Sequence, residues 1–399
     1  MKRKILRAKL EKNKETIEHV QIVKRNTIKV MDKTLSVIIN TKDSPPFFRE
    51  IIEKYSKQIG FKEVEIIIVD SGSIDNTLEI AREFGCKIVE IKPEEFRHGR
   101  SRNIGIEVAS GDFIVNTVSD AVPATLDLTY KVARKLEGEG AAAVSVRQIP
   151  RFDADLFAVW SIWQHYKYIF GELNQDIWIE GVENFNSLEK QERRKLSIID
   201  DVFVMHDAKK IKKVMYDNDI KYAEDLLLSI NYINKGYKIG ILQSEAVIHS
   251  HSRPEEYFFK RYFVDANVIN DVFKILPNNL TKNDLTLQDS ALKKNLVSII
   301  LLTKKKLMEL GTDPSWTESY LNFFKDSVGT NTGVEKTWNS LYHDIDQNFI
   351  IFLKKTGGFI EGVKDVEAKI AVMTGGTLLS EYFMRYGLKK NELTGELLK

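Results

Sequence analysis

Apolar runs rich in β-branched residues recur along the first half of the chain: Leu35–Asn40, Val64–Val69, Lys87–Ile91, Phe113–Val118 and Ala141–Val146. Each is short and ends in turn-forming residues, which predicts buried strands. Between them the apolar spacing changes to a helical period. One such stretch runs from Pro45 and Pro46 to about Gly60, and another begins near Asn76 with Asp75 as its cap. Two more cover Arg102–Val108 and Leu126–Leu136, with Pro123 as a helix starter. Strands alternating with helices of this length predict an α/β fold, a doubly wound and mostly parallel sheet with helices on both faces.

The alternation breaks after Pro150. Phe152–Phe170 reads as an aromatic-rich helix, followed by loop and a charged helix to residue 199. Asp200–Met205 reads as a strand, Glu224–Lys235 as a helix, Lys238–Leu242 and Ala246–Ser250 as short strands, and Pro254–Ile275 as a helix. Leu276–Asp284, with Pro277 and several Asn, is the clearest boundary; beyond it only helical patterns occur, with turn signals at 311–314, 329–333 and 357–358. Three units follow: a basic N-terminal helical segment (1–34), an α/β domain (35–275) and an all-helical C-terminal domain (276–399). Trp160, Trp163 and Tyr166 read either as core or as a sugar platform.

Composition narrows the reading without choosing a function. A net charge of only +2 argues against a nucleic-acid partner, and the single Cys86 excludes an intramolecular disulfide. No apolar run approaches the ~20 residues of a membrane span, and the basic N-terminus lacks the apolar core of a secretion signal. A cytoplasmic protein is expected, with peripheral contact at the inner face of the membrane left open by the thin amphipathic pattern of residues 1–34.

Candidate chemistry gathers at the carboxyl ends of the predicted strands, where sheets of this kind bind ligands. Asp43 and Asp70 follow the first two strands and suit a nucleobase or ribose, or else a turn. The run FRHGRSRNIG (96–105) brings Arg100, Arg102 and Asn103 to a helix start, a combination suited to a diphosphate. Ser119 and Asp120 close the fourth strand. With His249 and His251 in HSH, Asp120 offers ligands for Mn2+ or Mg2+ that leave positions for phosphate oxygens. Glu224 and Asp225 open a helix, where one can act as a general base.

In this order LSVIINTKD, EVEIIIVDSGSIDNT, FRHGRSRNIG, SDAVP, YAEDLLLS and AVIHSH resemble a family-2 glycosyltransferase of the GT-A fold, nearest its rhamnosyltransferase-like members. The resemblance spans about Leu35 to Tyr262. It implies a Rossmann-like sheet carrying an inverting, metal-dependent transfer of a sugar from a UDP- or dTDP-linked donor to a hydroxyl of a glycan or lipid-linked acceptor in surface polysaccharide synthesis. It further implies that Thr41, Asp43 and Asp70 hold base and ribose, and that Arg102 and Asn103 lie near ribose or diphosphate. Asp120 would be the last acid of the D-x-D metal motif, and His249 or His251 would complete the metal shell. Asp225 would be the base, with Glu224 positioning substrate. The chain departs at the first acid of D-x-D, which is Val118, as other rhamnosyltransferase-like members also lack it.

Two rivals fail on one feature. A nicotinamide dehydrogenase or a sugar-nucleotide pyrophosphorylase wants a glycine-rich loop after the first strand, where this chain has Asn40-Thr41-Lys42-Asp43. The remaining alternative is a non-catalytic glycosyltransferase-like binding or assembly module, with homo-oligomer formation through the C-terminal helices.

Overall fold

The computed structural model describes residues 29–171, 175–182, 184–220, 222–273, 289–323, 331–356 and 362–385. Most of the N-terminal basic segment, the 276–284 boundary and the 357–358 turn therefore lie outside the described residues.

Among the described residues nine strands form one sheet: β1 Thr34–Thr41, β2 Glu63–Asp70, β3 Lys87–Glu90, β4 Phe113–Val118, β5 Val122–Pro123, β6 Ala143–Ile149, β7 Ile177–Ile179, β8 Phe203–Asp207 and β9 Ile239–Ile248. Their order is β3-β2-β1-β4-β8-β6-β9-β5, with β7 paired to β9. The pairs β1/β2, β1/β4 and β2/β3 are parallel, as the alternation predicts. Antiparallel β8 is then inserted between β4 and β6. Hydrophobicity alone could not show that reversal, because a strand buried on both faces reads the same in either direction.

Helices cover both faces, and two apolar clusters fill the space between them and the sheet. Helix α1 (Phe48–Ser56) turns Phe48, Ile51, Ile52 and Tyr55 inward. The helix His98–Val108 packs so closely on β1 that a Cβ at Gly105 would lie 2.4 Å from Ile38 Cγ2, so glycine is required there. It begins at His98, a turn earlier than expected.

Two other expectations change, and an open one is decided. Pro123 starts no helix: Val122–Pro123 is a short strand against Ile248 and Val247 at the edge of the sheet, where a proline costs no ladder bond, and the helix begins at Leu128. The two short strands at 238–250 are one strand, whose register against β6 shifts at Val146/Arg147. Trp160 is fully buried, with its ring 5.5 Å from Phe349, and Trp163 lies 5.3 Å from Phe352. Both are core rather than platform.

The helical C-terminal region comprises Asp289–Leu310, Thr317–Phe323, Thr332–Thr356 and Val363–Arg385. It shares a third apolar cluster with the helices Leu156–Phe170 and Glu255–Phe273. Among the described residues no helix is long and apolar enough to cross a membrane.

Candidate functional site

The short strand β5 sets the geometry. Val122 lies opposite Ile248 in an antiparallel pair. Just outside that pair, Asp120 in the turn before β5 faces His249 and His251, which follow the end of β9. Accordingly, Asp120 Oδ1 is 3.4 Å from His249 Nε2 and Asp120 Oδ2 is 3.6 Å from His251 Nδ1. The two imidazoles meet edge to face with centroids 4.5 Å apart. One donor atom from each of the three residues falls within 4.8 Å of the others.

The protonation pattern suits a cation. Gln148 Nε2 donates to Asp200 Oδ2 at 2.6 Å, and since a carboxylate only accepts, this fixes the amide orientation. Gln148 Oε1 therefore faces His249 Nδ1 at 2.7 Å as an acceptor, and Nδ1 carries the proton. Nε2 then faces the Asp120 carboxylate: with a proton it donates to Asp120, and without one it offers a lone pair to a cation beside that carboxylate. Burial works to raise the Asp120 pKa, but the His249 hydrogen bond and the neighbouring imidazoles outweigh it and hold the group below its usual value. Burial, reinforced by His249, pushes His251 down to about 4, so its ring is neutral and able to ligate. These three residues fit a divalent cation.

A second acidic cluster lies at the start of the helix Glu224–Asn234. Ala223, just before it, sits at φ 62°, a left-handed conformation unusual for a residue with a Cβ. Buried Glu224 is compensated: its Oε1 lies 3.3 Å from Arg102 Nη2 and 3.8 Å from His98 Nδ1. Half-buried Asp225 is less so, with Leu226 N–H donating to its Oδ1 at 2.7 Å and Arg102 acting on it from farther off. Desolvation first, then the charges of Glu224, Asp201 and Asp200, hold its pKa well above the carboxylate range. Asp200 ties the two clusters together, acting on Asp225 by repulsion and on His249 through Gln148.

The remaining candidates serve two ends. Arg102 is buried, and its Nε donates to Asp201 Oδ2 at 2.7 Å. Asp201 also accepts from the Tyr216 hydroxyl at 2.7 Å. Asn103 is likewise buried, exchanging hydrogen bonds with the Tyr216 backbone and reaching Asn218. Both side chains are held in internal bonds. Asp70 is 1% exposed and its acceptor positions are filled: Oδ1 by the hydroxyls of Thr41 (2.9 Å) and Ser73, Oδ2 by the N–H groups of Gly72 and Ser73. Asp43 stays exposed at φ 47°, its N–H donating to Ser73 Oγ and its Oδ1 accepting from Ile74 N–H. Arg100 is exposed, 3.7 Å from Glu95, and Ser119 is half-buried in the turn before Asp120.

Sequence reasoning missed four participants. Gln148 carries no motif. Asp201 pairs with Arg102 across 99 residues of chain. The charges of Arg253 and Arg261 both act on His251, and Arg261 acts also on His98. The only local signal for the arginines is that they follow HSH in SRPEEYFFKR.

The chain is similar in sequence to known glycosyltransferases. The sequence model of Glycosyl transferase family 2 matches residues 36–195. The O-antigen chain rhamnosyltransferase WbaN of Salmonella anatum is 28% identical over 206 residues, covering 50% of this chain and 60% of that protein. Its counterpart RfbN of Salmonella typhimurium is 24% identical over 237 residues, 57% of this chain and 70% of that protein. The chain thus spans under two thirds of the length of the first of these relatives. A solved mannosyltransferase from Pyrobaculum calidifontis, in complex with GDP-Man and Mn2+, superposes with a TM-score of 0.46 at 14% identity over 63% of this chain and 68% of that one, a likeness too loose to transfer residue roles.

Proposed function

We propose, on the premise that residues 36–195 belong to glycosyl transferase family 2, that the protein moves a sugar from a nucleoside diphosphate donor to a hydroxyl of a growing surface glycan, with inversion. The two Salmonella relatives are O-antigen chain rhamnosyltransferases, which supports rhamnose as the sugar and a glycan or lipid-linked glycan as acceptor. The observation that carries the reading is the pairing of a salt-bridged acid, Glu224, with one whose pKa is raised, Asp225, linked through Asp200 and Gln148 to the Asp120–His249–His251 cluster.

Asp225 accepts the proton of the acceptor hydroxyl as that oxygen attacks the anomeric carbon. A single base suffices for one displacement, which inverts the centre. Its elevated pKa gives it more proton affinity than an ordinary carboxylate. Arg253 and Arg261, whose charges act on His251, would offset the charge of the departing diphosphate. Asp120, His249 and His251 would hold a divalent cation, which when bound neutralises charge on the leaving group. One carboxylate with two imidazoles favours Mn2+ over Mg2+, since Mg2+ prefers an all-oxygen shell. Asp43 and the backbone around Gly72 and Ser73, shaped by Asp70 and Thr41, would meet the nucleoside.

The test is release of nucleoside diphosphate from UDP- and dTDP-linked sugars, rhamnose included, with Mn2+ and without acceptor and with acceptor glycan. Turnover by the wild type that is lost in Asp120→Asn and Asp225→Asn is expected. No turnover with any donor, alongside tight nucleotide binding, would instead favour a binding module.

A further inference from the structure

The helical C-terminal region touches the cation site through one chain of polar contacts, and we infer that it supports the segment bearing His249 and His251, with Lys369 as the positioning residue. This rests on reading Asp120, His249 and His251 as cation ligands.

The segment 249–252 is zipped to the stretch that follows β6. His249 N–H donates to Ile149 O at 3.0 Å, Arg151 N–H to Ser250 Oγ at 3.1 Å, and Asp155 N–H to Ser252 Oγ at 3.1 Å. The last of these bonds is adjacent to His251. Asp155 has two further partners. Its Oδ1 caps the helix Leu156–Phe170 by accepting Ala158 N–H at 2.7 Å, and its Oδ2 accepts from Lys369 Nζ at 2.8 Å. Lys369 stands on the C-terminal helix Val363–Arg385, is 4% exposed, and also reaches Asp365 at 2.9 Å.

An ammonium so enclosed is costly unless its geometry is held, and holding it fixes Asp155 in turn. The same ammonium lies 5.7 Å from the ring centroids of Phe157 and Phe258. Phe258 belongs to the helix that begins three residues after Ser252. That helix is clamped by the same C-terminal helix, where a Cβ on Gly376 would lie 2.4 Å from Phe259 O and one on Gly375 would lie 2.9 Å from Phe259 Cε2. Both flanks of the histidine segment are therefore referred to Val363–Arg385. Partners outside the ligand shell orient ligands and tune affinity for the ion. Here the outermost such partner comes from a region with no strand of the sheet in it.

The experiment measures Mn2+ affinity of the full-length protein by electron paramagnetic resonance of the free ion, with and without UDP or dTDP. The variants are Lys369→Met, Lys369→Arg, Ser252→Ala and the Lys369→Met/Ser252→Ala double. Each of Lys369→Met and Ser252→Ala is expected to weaken Mn2+ binding ~10-fold, the low end for outer-shell partners. The double is expected to be no weaker than the worse single, because both cut one chain. Lys369→Arg should restore binding.

Wild-type affinity in folded Lys369→Met would overturn the inference, as would losses that multiply in the double, which would mean general loosening. Should Lys369→Met fail to fold, unchanged affinity in Ser252→Ala overturns it alone. A wild type that binds no Mn2+ under any condition overturns the cation reading, and this inference with it; wild-type binding with unaffected variants overturns this inference only.

Discussion

Asp70 ends β2 and Asp120 lies in the turn after β4, two places along the same sheet, and the fold treats them in opposite ways. Asp70 is closed: hydroxyls of Thr41 and Ser73 and two backbone N–H groups fill its oxygens. Asp120 instead faces two imidazoles, with His249 Nε2 at 3.4 Å and His251 Nδ1 at 3.6 Å. The same contrast recurs between neighbours in sequence, with Glu224 paired to Arg102 and Asp225 left among like charges. A satisfied carboxylate shapes backbone. One that folding leaves short of positive charge or of a proton is held ready for something that arrives later.

The largest effect expected from this contrast is at the unsatisfied base. Asp225→Asn should lower kcat ~10²–10⁴-fold, the range for general-base terms, while isothermal titration shows nucleoside diphosphate affinity unchanged. The variant should also be no less stable. A carboxyl whose folded pKa is raised stabilises the fold below its unfolded pKa near ~3.9 and loses that contribution as pH rises through the higher folded value. Removing the charge thus removes a penalty at neutral pH. Wild-type kcat should correspondingly fall on acidification through a pKa above the usual carboxylate range. A profile flat to pH 4 would show that Asp225 does not act as the base.

Next in size is the tautomer lock. Gln148→Leu frees His249 Nδ1 and should weaken Mn2+ binding ~10–100-fold, read by titration of the chelator-stripped protein. Stripping should abolish activity, and Mn2+ should restore it at lower concentration than Mg2+. Equal rescue by both ions would mean the imidazoles contribute little.

The contrast also explains what could be read in advance. β1, β2 and β4 announce themselves because each is an apolar run stopped by a polar turn, and Asp120, His249 and His251 stand at such stops. What brings them together is β5, two residues whose pairing with β9 no pattern of so few positions can signal. Gln148 was invisible for a related reason: its side chain is aimed by the register shift at Val146/Arg147, a property of the pair of strands. Arg102 was legible as a cation at a helix start, yet its partners Asp201 and Tyr216 are supplied from beyond the break in the alternation. Motif spacing identified the acids and imidazoles; it could not say which were already occupied.

The smallest effects belong to the closed end. Thr41→Val removes one donor from Asp70 and leaves three, so it should cost only ~1 kcal/mol of unfolding free energy, measured by urea denaturation. Asp70→Ala leaves Thr41, Ser73 and two backbone N–H groups without their acceptor and should cost more, ~3 kcal/mol. In both, kcat should stay near wild type and any rise in donor KM should track the stability loss, because the loop at Gly72 and Ser73 has loosened. A large rise in KM for the donor in Thr41→Val, at undiminished stability, would show that the Thr41 hydroxyl touches the nucleoside itself, and the two ends of the sheet would then differ less than their hydrogen bonds imply.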